Sequence, residues 1–104
     1  METKSKRVQF HEILVSLFGN NNVYYRPPES LKMQYPCIRY KKESIESNYA
    51  DNTSYKKFDR YQVIVIDKKP DNDVIEKLLD LPMSSFATHY ETDNLNHDVI
   101  IIYY

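Results

Sequence analysis

The chain has 104 residues, the length of one domain, and can bury a modest core without disulfides or metals. Its composition, 41% hydrophobic and 28% charged, excludes a disordered chain. The net charge of −1 excludes a strongly basic nucleic-acid binder, although a near-neutral total can hide a local basic patch.

A single glycine, Gly19, excludes the GxGxxG and Walker-type phosphate loops. A single cysteine, Cys37, excludes an intramolecular disulfide and a cysteine-based zinc cluster, and reads as a small buried hydrophobe. Ten tyrosines without a tryptophan suit strand surfaces and half-wet interfaces. The first apolar run follows METKSKR but is broken by Gln9, His11 and Glu12, so no signal peptide is expected. No apolar stretch approaches membrane-spanning length, and the expected site of synthesis is the cytosol.

In chain order, KSKRVQFHEILVSLFG predicts an amphipathic helix. Phe10, Ile13, Leu14, Leu17 and Phe18 fall at i, i+3, i+4, i+7 and i+8. Thr3 or Ser5 is the expected N-cap and Gly19 the stop, while Lys4, Lys6 and Arg7 sit at the unfavourable end of the helix dipole. NVYYRPP is a short extended piece that Pro27 and Pro28 confine to an edge strand or a rigid loop. In YPCIRYKKESIESNYA, Ile38 and Tyr40 share one strand face, with Arg39, Lys41 and Glu43 on the other.

Asp51, Asn52, Thr53 and Ser54 form a turn signal, and KKFDRYQVIVIDKK is the clearest strand. It ends apolar on both faces at residues 63–66, the pattern of a central strand covered on both sides. The two runs predict a long antiparallel hairpin with its tip near residues 48–54, flanked by Tyr49 and Tyr55. KKPDNDVIEKLLDLP then joins strand to helix. Asp71 or Asp73 is the expected cap, Asp73 with Glu76 forming a capping box, and Val74, Ile75, Leu78 and Leu79 the buried stripe. Pro82 ends this helix.

The last segment predicts two strands around TDNLN, where Asn and Asp tolerate left-handed backbone. Val99, Ile101 and Tyr103 lie on one face of the final strand and Ile100, Ile102 and Tyr104 on the other. With no charge after Asp98, that strand must be buried in the protomer or against another subunit. A chain stopping on its own strand also fits a unit sized for assembly. The expected fold is one α+β domain over 1–104: a mixed, mostly antiparallel sheet flanked by two helices, in the order α-β-β-β-α-β-β.

Few residues point to chemistry. Asp67, Asp71 and Asp73 lack the glycine and distal glutamate of an EF-hand-like loop. His89, Glu91, Asp93 and His97 could meet across the last hairpin as a metal site. They match no pattern such as HExxH, so ordinary hydrogen bonding is the favoured reading. His11–Glu12 offers a base without a partnered nucleophile, no serine sits in GxSxG, and Cys37 has no linked histidine. Neither an enzyme nor a cofactor is expected. The pairs Lys41–Lys42 and Lys56–Lys57 flank the hairpin and could lie side by side. With Lys68–Lys69 they read first as protection of strand edges and second as an interface.

The words PPESLKMQYPCI, YQVIVIDKKPD and DNLNHDV carry a resemblance that extends over nearly all of the chain after the first helix. The chain resembles small phage and prophage proteins of the head-to-tail module of long-tailed phages, in particular tail terminator (tail completion) proteins. The resemblance implies an α/β subunit of a hexameric ring in the virion neck, assembled in the host cytoplasm. Such a ring caps the tail tube, contacts the tube protein and the head-side connector or stopper, and lets DNA pass through its lumen without sequence-specific binding. It implies no catalytic residues and no membrane. From the residues themselves, the expected subunit contact is the hairpin tip: Tyr49, Asp51, Asn52, Tyr55, Lys56 and Lys57. The alternatives are a portal-side connector or stopper of the same neck, and a small non-viral binding domain.

Overall fold

A computed structural model describes the backbone of residues 5–50 and 53–104 and the side chains of residues 5–44 and 58–104. Seven elements follow in the predicted order: α1 (Lys6–Phe18), β1 (Val23–Tyr25), β2 (Cys37–Ala50), β3 (Thr53–Asp67), α2 (Val74–Leu79), β4 (Ser84–Thr92) and β5 (Leu95–Tyr103). The strands form one sheet in the order β1-β2-β3-β5-β4, with β1 parallel to β2 and every other pair antiparallel. The fold is therefore α+β, with a mixed, mostly antiparallel sheet.

Local signals account for the helix and turn boundaries. The Ser5 side chain accepts the Val8 amide at 3.2 Å and so caps α1. Gly19 takes the left-handed conformation (φ 82°) and donates to Val15 O at 2.9 Å, ending the helix. Thr3 and Lys4 lie outside the described residues. Asp93 and Asn94 carry φ of 53° and 61°, the double left-handed geometry that a two-residue hairpin turn demands.

The cap of α2 corrects the expectation. Asp73 makes no side-chain capping bond; Asn72 Oδ1 accepts the Val74 amide at 3.0 Å instead. Asp73 is already in the helical region (φ −57°, ψ −27°), and a capping side chain must come from the extended residue before the first turn.

Both helices pack on one face of the sheet, here the inner face. The core there joins Phe10 and Leu14 of α1 and Val74 and Leu78 of α2 to Ile38, Tyr40, Tyr61, Val63, Val65, Ile100 and Ile102. Phe10 stacks on Tyr61 with centroids 4.3 Å apart and meets Tyr40 edge-on at 5.7 Å. β3 is central, as its pattern predicts, but the expectation of cover on both sides needs correction. Helices cover only Tyr61, Val63 and Val65, while Ile64, on the outer face, stays half-buried. An alternating strand places consecutive apolar residues on opposite faces, and α1 and α2 pack against each other over the same one. The outer face holds Cys37, Ile66, Val99 and Ile101, all buried. The crossover from β1 to β2 runs over this side, where the Gln34 amide donates to the Tyr24 hydroxyl at 3.2 Å.

Candidate functional site

The hairpin is longer than the sheet that carries it. β1 meets β2 only from Ile38 to Tyr40, and β5 meets β3 only as far as Tyr103 opposite Arg60. One further bond pair, between the Asp59 and Tyr104 backbones, closes that ladder. From Glu46 opposite Phe58 to Ala50 opposite Thr53, β2 and β3 pair only with each other. This two-stranded arm extends roughly 20 Å beyond the sheet at strand rise, and the molecule measures 50 Å along its longest axis.

Polar contacts clamp the root of the arm on both faces. On the inner face, buried Asp59 receives the Lys42 ammonium at 3.5 Å and the Tyr61 hydroxyl at 3.5 Å. Burial, with Asp59 second, raises the Tyr61 pKa and keeps its phenol protonated. On the outer face, Arg60 donates to the Tyr103 hydroxyl at 3.1 Å and pairs with Glu43 at 3.5 Å. Solvent screens so exposed an ion pair, and its part is geometric: together these contacts fix the direction in which the arm leaves.

The sequence-predicted contact residues fall on this arm. The backbone sets Tyr49 opposite Ser54, Lys56 opposite Asn48 and Lys57 opposite Ser47, with Tyr55 between them on β3. Asp51 and Asn52 lie outside the described residues, as do the side chains of Tyr49, Tyr55, Lys56 and Lys57. The two lysine pairs do not lie side by side. Lys41 and Lys42 face Gln62 and Tyr61, whereas Lys56 and Lys57 face Asn48 and Ser47 further out. The pairing of Ala50 with Thr53 sets this register, and the irregularities between Asn48 and Tyr49 and between Lys42 and Ser44 shift it.

A second open edge lies on the far side of the sheet. β4 is the outermost strand, pairs only with β5, and is exposed over nearly its whole length. Its sequence SSFATHYET contains no lysine and no proline, the residues that usually blunt an edge. Phe86 is 49% exposed and Tyr90 43%. The only interruption is the bulge between Phe86 and Thr88.

The histidines and aspartates that sequence singles out are separated by strand parity. His89 stands opposite Asp98 and holds its carboxylate at 2.8 Å beneath the inner face. His97 stands opposite Tyr90 on the outer face and stacks on that ring at 4.6 Å. Asp67 accepts the Lys69 amide at 3.1 Å and the Asn72 side-chain amide at 2.7 Å, ordering the loop before α2. Among the described residues no three His, Cys, Asp or Glu side chains converge to hold a metal ion. Cys37 is buried, and that burial pushes its thiol up to about 11, which makes it a poor nucleophile.

One pairing has no signal in the sequence. His11 Nδ1 shares a hydrogen bond of 2.7 Å with the Tyr40 hydroxyl, to which Arg7 also donates at 3.4 Å. Such a base and phenol would interest an enzymologist, but Tyr40 is only 1% exposed and sits within the aromatic core. The contact ties α1 to the sheet. Tyr40 and its helix partners are 29 and 33 residues apart, too far for spacing arguments to reach.

No helix among the described residues is long and apolar enough to cross a membrane. No protein-family model matches the chain, and no curated protein matches it.

Proposed function

We propose that the chain is a structural virion protein: a tail terminator subunit that assembles into a ring, caps the tail tube and forms the surface joining it to the head. The observation that carries this reading is the pair of unlike open edges on one sheet. The arm leaves β2 unpaired on one side, and β4 is unpaired on the other. Strand edges recruit further strands through their free amides and carbonyls. A contact between two different patches of identical subunits is heterologous, and it closes into a ring when the rotation permits. The resemblance of PPESLKMQYPCI, YQVIVIDKKPD and DNLNHDV to neck proteins supports the same reading. It supplies the expected six-fold ring, the tube protein and head-side connector as neighbours, and a lumen through which DNA passes.

Negative-stain imaging of the purified protein, alone and mixed with the tail-tube protein of the same phage, tests the proposal. Six-fold rings, or caps that halt tube growth, are the expected result. Deleting residues 48–54 should abolish both while circular dichroism still reports a folded monomer. Rings from the shortened protein would remove the arm from the contact. A full-length protein that ignores tubes and binds the portal-side adaptor would make it a stopper instead.

A further inference from the structure

The outer face of the sheet carries a groove that the ring reading does not use. Its volume is about 320 Å³, and it is lined by Arg26, Arg39, Lys41, Gln62, Ile64 and Tyr90, with no carboxylate in its wall. Among the described residues, no acidic side chain forms an ion pair with Arg26, Arg39 or Lys41. That is unexpected in a chain whose net charge is −1. Glu43, the acidic residue nearest in sequence to Lys41, is engaged with Arg60.

Two features make the groove more than a solvated basic surface. Arg26 holds a left-handed backbone (φ 45°) directly before Pro27, and its amide donates to Tyr40 O at 3.0 Å. That conformation favours glycine or asparagine, and a following proline disfavours it further. Such an outlier is grounds for a functional hypothesis at Arg26. At the other end, the exposed Tyr90 ring lies parallel to His97, 4.6 Å away with an interplanar angle of 10°. His97 thereby sets the plane of a ring that borders the groove. Unpaired cations that follow a groove, combined with an oriented aromatic platform, are the recognition chemistry of single-stranded nucleic acid. Phosphates bind the cations and a base stacks on the ring.

We propose that this groove binds single-stranded nucleic acid without sequence preference, with Arg26, Arg39 and Lys41 on the phosphates and Tyr90 under a base. The proposal is independent of the ring reading, since one protomer carries the whole groove.

Fluorescence anisotropy with a labelled oligothymidylate of about 10 nucleotides, a length within the usual site sizes, tests it. The expected result is saturable binding that weakens with salt. Three phosphate contacts at roughly −0.7 each predict a log–log slope of about −2. The double variant Arg39→Ala/Lys41→Ala should flatten that slope to about −0.7 and weaken binding by at least about tenfold at low salt. Tyr90→Ala should weaken binding about tenfold and leave the slope unchanged. Lys77→Ala, on α2 and away from the groove, should bind as the unaltered protein does.

Absence of binding at low salt would overturn the proposal. So would binding that the groove variants leave intact. Equal competition by polyglutamate, with no effect of Tyr90→Ala, would also overturn it and assign the groove to an acidic protein partner. All of these measurements read a protomer, so they stand or fall separately from ring formation.

Discussion

The Tyr40 hydroxyl is where single residues couple the helix layer to the sheet. It accepts a hydrogen bond from Arg7 and shares one with His11, both on α1, while its ring packs against Phe10 and Tyr25. Burial, and then the Arg7 guanidinium, hold the His11 imidazole below its ordinary pKa of 6.5, against a smaller opposing pull from Glu12. The folded state therefore prefers the neutral ring. That preference stabilises the fold above the ordinary value and is lost as pH falls from there through the lowered folded value. His11→Gln keeps a hydrogen-bonding side chain without the titration. The difference in thermal midpoint between the two proteins should be flat above about pH 7 and shift against the unaltered protein below about pH 6.5. A difference independent of pH would mean that His11 does not couple to folding. Tyr40 is also held above its ordinary value, chiefly by burial, so its phenol is neutral throughout this range.

At the scale of elements, α2 is the part whose boundary depends on one side chain. It spans only six residues, too few to be stable alone, and it stays in place through Val74 and Leu78 in the core. Its start depends on Asn72, whose side chain accepts the Val74 amide and donates to Asp67. Asn72→Ala should lower the stability measured by urea unfolding by about 1 kcal/mol. Asp73→Ala removes only a charge near the helix start and should cost about 0.3 kcal/mol. The reverse order would return the capping role to Asp73. The arm is the opposite kind of element. Beyond Asp59 its two strands pair only with each other, and the Asp59 and Arg60 clusters brace its root.

For the molecule as a whole, the arrangement leaves inner and outer faces with different tasks. The inner face holds the folding core under two helices; the outer face carries no helix, and the sheet ends in two open edges. Phe86 tests the β4 edge without touching the groove, because it lies on the strand before the bulge and opposite Ile100. Phe86→Lys places a cation on an exposed edge residue. It should change folding stability by no more than about 0.5 kcal/mol and should reduce self-association in sedimentation velocity, alone or on tube ends. Association unchanged by the lysine would mean that β4 is not a subunit contact.

The sequence by itself determined the number and order of elements, because hydrophobic period, caps and turn residues are local properties. The α1 stripe, the Gly19 stop, the left-handed Asp93–Asn94 turn and the two apolar faces of β5 can all be read within a few neighbouring residues. The tertiary structure decided which elements meet and on which side. It made β1 parallel to β2, put both helices on one face, offset the lysine pairs along the hairpin, and sent His89 and His97 to opposite faces. It also gathered Arg26, Arg39, Lys41 and Tyr90, from three separate stretches of chain, into one groove. Each of these outcomes depends on strand register and layer packing, which are set by contacts between residues far apart in sequence. A one-residue change in register reverses every side chain on a strand, so no local pattern could have fixed them.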